Sequence, residues 1–144
     1  SITEWAPGAH YGNRIGKTMK RLKGQKLSVS HVLWHQGETD ALDGMSGSEY
    51  VRHFKEVLSE IRRVGINAPV YVAVASLCRD TGSAEIRRAQ SQLPSLLANV
   101  YPGPNTDEID TIRHRHDGCH FSNEGLGLHA RLWFQAAWSD NQSK

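Results

Sequence analysis

The stretch "LSVSHVLWHQGETDA", residues 27 to 41, sets a short apolar run rich in β-branched residues directly against His35, Gln36, Glu38 and Asp40. The run shows little strict alternation of apolar and polar residues. It therefore reads as a strand buried on both faces, the kind found in parallel sheets. Ending such a strand on a dense polar cluster points to a site, because open α/β sheets bind ligands beyond the carboxyl ends of their strands.

Working outward, Tyr11, Ile15, Met19 and Leu22 recur at helical spacing upstream, and Gly24 follows where a helix would stop, which predicts a helix over residues 10 to 23. Downstream, Tyr50, Val51, Phe54, Val57, Leu58, Ile61 and Val64 line one helical face. That helix opens at "SGSE", where Ser46 and Glu49 can form a capping box, and Gly65 sits at its end. After Pro69, "VYVAVAS" is a second apolar strand. Ser83 can cap a third helix through Ile86, Ala89, Gln90 and Leu93, with Pro94 kinking or restarting it. "YPGPN" reads as a turn and "DEIDTI", residues 107 to 112, as a weak third strand. The loop "RHRHDGCHFSN" then leads into a last helix carrying Leu126, Leu128, Leu132, Trp133 and Ala136. Alternating helices and apolar strands predict an α/β layer fold with a parallel sheet and right-handed crossovers. The polar loops "HQGETD", "LCRD" and "RHRHDGCH" are expected to converge on one edge.

A length of 144 residues suits a single domain, and 38% apolar with 22% charged residues is an ordinary globular composition. Basic residues outnumber acidic ones by only 17 to 15. The basic run "KTMKRLKGQK" and Arg87-Arg88 read as solvated helix faces, since no aromatic residues interleave for base stacking, so no nucleic-acid partner is expected. No stretch approaches the ~20 apolar residues of a membrane span, and "SITEWAPGAH" lacks the basic and apolar regions of a signal peptide, so no membrane partner is expected either. Cys78 and Cys119 lack zinc-site spacing but fall in loops expected to meet; a disulfide between them and two unlinked cysteines both remain open.

Asp117 and His120 stand three apart in "DGCHFS". One turn of loop lets the carboxylate fold back onto the imidazole Nδ1, fixing the tautomer and stabilising the imidazolium, which is the orienting half of a Ser-His-Asp triad. Taken alone, the same spacing also suits a loop carboxylate that caps the following helix. A metal-dependent hydrolase is the competing class, because His31, His35, His114, His116 and His120 accompany Glu38, Asp40 and Asp117. A strand separates His31 from His35 by about 13 Å, however, and Arg113 and Arg115 alternate with His114 and His116 and oppose a cation. No metal or other cofactor is expected.

"WHQGETDA" together with "DGCHF" resembles the sialate O-acetylesterase and acetylxylan esterase branch of the SGNH hydrolases, carbohydrate esterase family six and its relatives. In that branch a Trp-(His or Tyr)-Gln-Gly-Glu-(Ser or Thr)-Asp-Ala block ends a central strand, and an Asp-x-x-His-Phe block precedes the final helix. Trp34, His35, Gln36, Gly37, Glu38, Thr39, Asp40 and Ala41 match the first block, and Asp117, His120 and Phe121 the second. "IRRAQ", residues 86 to 90, fits a lesser pattern. The resemblance implies a flavodoxin-like, three-layer α/β/α fold with a short parallel sheet. It also implies a serine esterase that removes O-acetyl groups from sialic acid or xylan-type sugars, an acetylated carbohydrate as partner, and a secreted or cell-envelope location. His120 would be general base and then general acid, and Asp117 its orienter. Gln36 with the backbone N–H of Gly37 would form the oxyanion hole, where one preorganised donor is typically worth about 3 kcal/mol of barrier. Glu38 and Asp40 would brace the loop through backbone hydrogen bonds, and Trp34 would be core.

The family's serine lies in a Gly-(Asp or Gln)-Ser block after its first strand, with a second glycine-bearing block before the Gln-Gly-Glu loop; neither is found in this sequence. Without the strand that carries the serine, the sheet is expected to have an unpaired apolar edge. Residues 1 to 144 are therefore expected to be one SGNH-like domain, incomplete at its N-terminus and the C-terminal portion of a longer esterase. A second chain that completes the sheet is an alternative, as is a degenerate sugar-binding or structural module. Ser76, ending "VYVAVAS", reads as a satisfied strand-end hydroxyl, and Ser122 is too near His120 in sequence to approach it. The nucleophile is unassigned.

Overall fold

The computed structural model describes residues 1–138. Three parallel strands in the order β1-β2-β3 form the sheet: β1 (Val32–Trp34), β2 (Val70–Val74) and β3 (Val100–Asn105). Helices α1 (Gly12–Gly24), α3 (Gly47–Arg63), α4 (Ala84–Leu96) and α5 (Asn123–Trp138) flank it, and the short α2 (Glu38–Leu42) follows β1.

β2 shows why the layers form. Val70 and Val72 join Phe54, Val57, Ile86, Leu93 and Met19 in one core, so α1, α3 and α4 share a face of the sheet. Tyr71, Ala73 and Ala75 point the other way and pack on Trp133 and Ala137 of α5. With side chains alternating between two covered faces, a continuous apolar run is what a central strand requires. Strands added in one direction also place α3 and α4 together, as crossovers of a single hand demand. The result is the three-layer α/β/α fold expected from the sequence.

The best-defined local signal is at α3, where Ser46 Oγ accepts the Glu49 N–H at 3.3 Å and Glu49 Oε2 accepts the Ser46 N–H at 3.1 Å. Ser83 caps α4 through the Ile86 N–H at 3.2 Å, and Pro94 lies within the helix, which runs on to Leu96.

The third strand is displaced from its expected place. "YPGPN" is not a turn but most of β3, and "DEIDTI" is not a strand: its start lies in a 3-10 turn, Thr106–Glu108. The strand holds Pro102 because β3 is an edge, where a missing N–H breaks no ladder on its open side. Gly103 is required there, since a Cβ would come within 2.7 Å of the Ala73 N and the Val72 O, at the point where the β2–β3 register shifts.

β1 also departs from expectation. It is only three residues long and is not buried on both faces: Leu33 is 43% exposed, on the face it shares with Tyr71, where α5 packs on β2 but leaves β1 open. Having β2 as its one neighbour among the described residues, β1 is the sheet's other edge. A 3-10 turn at Ile2–Trp5, which the sequence does not announce, packs Trp5 edge-on to Trp34, with ring centroids 5.4 Å apart. In α5 the buried positions are Gly125, Trp133 and Ala137, while Leu126 faces solvent. Among the described residues no helix is long and apolar enough to cross a membrane.

Candidate active site

The loops that follow the three strands meet at their carboxyl ends. A disulfide joins Cys78, after β2, to Cys119, and the Arg79 N–H donates to the Gly118 C=O at 2.9 Å. From the β1 side, His35 Nε2 donates to Thr106 Oγ1 at 2.9 Å, and Thr106 in turn donates to the Val74 C=O at 3.0 Å. The direction follows from the threonine having a single proton, which the Val74 carbonyl takes.

Within the third loop Asp117 grips His120 three ways. One carboxylate oxygen accepts the Cys119 and His120 N–H groups at 2.9 and 2.7 Å, and the other accepts His120 Nδ1–H at 2.6 Å. The hydrogen bond to the imidazole, with those two backbone bonds behind it, holds the Asp117 carboxyl far below the usual carboxylate range. His120 is thereby fixed as the Nδ1–H tautomer, and its Nε2 lone pair faces outward from a ring that is 75% exposed.

Arg115 anchors this loop from beneath. Its guanidinium donates to the backbone carbonyls of Ile109, Thr106, Leu77 and Cys119 at 2.5 to 3.1 Å and lies over the Phe121 ring, 4.5 Å from its centroid. Burial lowers its pKa, and the neighbouring carboxylates, Asp107 foremost, oppose that.

At the β1 loop, Asp40 is completely buried. It accepts the Ile2 N–H at 3.0 Å, Ser1 Oγ–H at 2.6 Å and the side-chain amide of Gln36. Asp40 thus fastens the N-terminal turn and the Gln36 side chain, rather than its own loop's backbone. Gln36 Oε1 is buried without a partner among the described residues. Reversing the amide would set that oxygen against a carboxylate, so the observed orientation is the favourable one. Glu38 lies 3.7 Å from His35 Nδ1. At Gly37, φ is +154°, and a Cβ would overlap the Ala75 O and Gln90 Nε2, so the loop passes too close to the end of β2 for any other residue.

Both serines near the edge are committed elsewhere. Ser76 Oγ donates to Asp107 at 2.6 Å and accepts from the Ser83 N–H and Arg87 Nη1, at 3.1 and 3.0 Å. Ser122 Oγ donates to the Arg113 C=O at 2.7 Å and accepts the Gly125 N–H at the start of α5. Of the histidines, His31 packs on Tyr71 and Trp138, His114 Nδ1 pairs with Thr111 Oγ1 at 2.8 Å, and His116 stacks on His120 with ring centroids 6.2 Å apart. Among the described residues, no three His, Cys, Asp or Glu side chains are grouped so as to hold a metal ion.

Asp107 and His129 are site-building residues that no motif in the sequence marks, while Arg115 stands out there only as a charge opposing a cation, Tyr50 only on a helix face, and Gln90 only on a helix face and in "IRRAQ". Their partners are mostly backbone groups or rings at irregular separations along the chain, from 4 to 54 residues, which form no recognisable motif.

Comparison with known proteins bears on the family and the fold. A probable carbohydrate esterase of Arabidopsis thaliana is 30% identical over 105 residues, covering 69% of this chain and 38% of its own length. The crystal structure of an Arabidopsis thaliana protein superposes with a TM-score of 0.67 at 22% identity, over 95% of this chain and 58% of that one, and shows a shared fold. Both matches are to the same Arabidopsis thaliana protein, and the chain spans less than two thirds of it. Residues 1–138 match the family described as carbohydrate esterase, sialic acid-specific acetylesterase, and the chain belongs to that family.

Proposed function

We propose that this chain is the His-Asp and oxyanion-loop portion of a serine-type carbohydrate O-acetylesterase. The observation that carries the reading is the 2.6 Å bond from His120 Nδ1 to Asp117, which leaves Nε2 free at the carboxyl edge of the sheet. In the proposed reaction His120 Nε2 removes the proton of a serine hydroxyl as its oxygen attacks the acetyl carbonyl, and the carbonyl electrons move onto oxygen. His120 then passes the proton to the departing sugar oxygen. Water, deprotonated by the same nitrogen, then attacks the carbonyl of the acetyl-serine ester; the serine C–O bond breaks, acetate leaves, and His120 returns the proton to the serine oxygen. O-acetylated sialic acid, the substrate class in the family's description, and xylan-type sugars are the candidate substrates.

Ser76 and Ser122 are engaged in hydrogen bonds, so we assign the nucleophile to a segment that pairs with the open edge of β1, from the same polypeptide or a second chain. A groove of about 270 Å³ along that edge supports this; Trp5, Val32, Leu33, Trp34, His35 and Gln36 are among its walls, and the unpartnered Gln36 Oε1 belongs to one of them. The engaged serines equally suit a sugar-binding or structural module that has lost catalysis.

Hydrolysis of p-nitrophenyl acetate by the native full-length polypeptide and its His120→Ala variant separates the two readings. An esterase loses at least about 10³-fold in kcat on removal of the base. Equal rates above background in both proteins exclude the triad role, and no hydrolysis by either favours the module.

A further inference from the structure

Gln36 and Gly37 are joined by a trans peptide, in which carbonyl and N–H point in opposite directions. The Gln36 carbonyl is held inward by two donors, Tyr50 Oη–H and Gln90 Nε2–H, each at 2.9 Å. Both lie on the face of the sheet covered by α3 and α4. The Gly37 N–H therefore points to the opposite side, that of α5, on whose His129 the ring of Phe121, next to His120, packs.

The two anchors are themselves immobilised. Tyr50 is fully buried, and its oxygen accepts the Trp34 indole N–H at 3.3 Å, which leaves its own proton for Gln36. Burial also raises the phenol pKa well above its ordinary value, so that proton is retained at all physiological pH. Gln90 is bound at both ends to one residue: its Oε1 accepts the Ala75 N–H at 2.9 Å and its Nε2 donates to the Ala75 C=O at 3.0 Å. The amide plane of Gln90 is thereby locked to the end of β2, and through it the loop after β1 is locked to the neighbouring strand.

We propose that Tyr50 and Gln90 are the positioning residues of the oxyanion hole: by clamping the Gln36 carbonyl they aim the Gly37 N–H at the place where the acetyl oxygen becomes negative. A carbonyl that accepts two hydrogen bonds also polarises its own amide, so the clamp strengthens the donor it aims. The charge assigned to the N–H rests on the esterase reading; the peptide's orientation does not.

Gln36–Gly37 is the one Gln-Gly pair in the sequence. Protein labelled with ¹³C-carbonyl glutamine and ¹⁵N-glycine therefore gives a single correlation in a carbonyl-to-amide NMR experiment. Tyr50→Phe, which removes one hydroxyl and keeps the ring, and Gln90→Met, similar in length, are the variants. Each is expected to move the Gln36 carbonyl upfield with the Gly37 amide in this chain, and to lower kcat of the full-length polypeptide for p-nitrophenyl acetate about tenfold at unchanged KM. That is less than the roughly 10²-fold loss of a whole donor, because the N–H remains but is aimed less well. Should either variant fail to fold, as judged by circular dichroism, the other carries the test. An unmoved correlation in a folded variant overturns the clamp. A moved correlation with wild-type kcat overturns its role in positioning. If His120→Ala matches the wild-type rate, the esterase reading and the charge assignment fail together, while the NMR signal still decides the orientation.

Discussion

His129, on α5, shows how much a single side chain at this edge commits the molecule. Its Nε2 accepts the Trp133 indole N–H at 2.9 Å, and its ring packs against Phe121 and His35 at centroid distances of 4.8 and 4.9 Å. Burial first, then the neighbouring His35 and Arg115, pushes its pKa down from 6.5 to about 4. Between those values the unfolded chain binds a proton that the folded chain refuses, so stability is present at neutral pH and is lost as pH falls through this window. Burial lowers the His35 pKa as well, which adds in the same direction. The loss from His129 is expected to be on the order of 1 kcal/mol, since the ring is only part-buried and solvent screens the effect. Urea denaturation at pH 7 and pH 4.5 should show a smaller difference in His129→Phe than in the wild type; an equal difference removes His129 as the cause. Asp117 acts lower still, because its depressed pKa confers stability that is lost only below the ordinary carboxylate value of 3.8.

Among the elements, the loops after β2 and β3 depend most on each other. The Cys78–Cys119 bridge spans a sequence separation of 41 residues and lies one residue from His120. Closing a loop of that length restricts the unfolded chain by roughly 4 kcal/mol in the chain-entropy account. Cys78→Ala/Cys119→Ala is therefore expected to melt well below the oxidised wild type and to coincide with the wild type under reductant. Identical melting temperatures for the oxidised protein and the double variant would show that the bridge contributes nothing. The elements also differ in how plainly the sequence announces them. α3 is legible because its capping box and apolar face are local, and β2 because both of its faces are buried. β3 is not, since Pro102, Gly103 and Pro104 punctuate the chain like a turn, and only the pairing of Val70 with Val100 and Tyr71 with Tyr101 makes a strand of them. The same distinction runs through the site. Asp117 and His120 are three residues apart and readable, whereas Arg115, Asp107 and Gln90 act on backbone groups between 4 and 54 residues away.

At the scale of the whole molecule, the sheet is closed on one side and open on the other. Strand order β1-β2-β3 places α3 and α4 on one face and α5 across β2 and β3, so β1 keeps an unpaired outer edge and one thinly covered face. An apolar strand with free N–H and C=O groups is a template for pairing with another chain. Leu33, exposed at 43% in the middle of β1, is the residue such a partner would cover. The isolated chain is accordingly expected to self-associate as concentration rises, with Leu33→Lys shifting the equilibrium toward monomer, because a buried ammonium at a paired edge is costly to desolvate. In the monomer the same substitution sits at a surface and should change stability by no more than about 0.5 kcal/mol. Sedimentation equilibrium with urea denaturation reads both quantities. Self-association unchanged by Leu33→Lys would remove β1 as the pairing edge, and with it the structural basis for assigning the nucleophile to a segment that docks there.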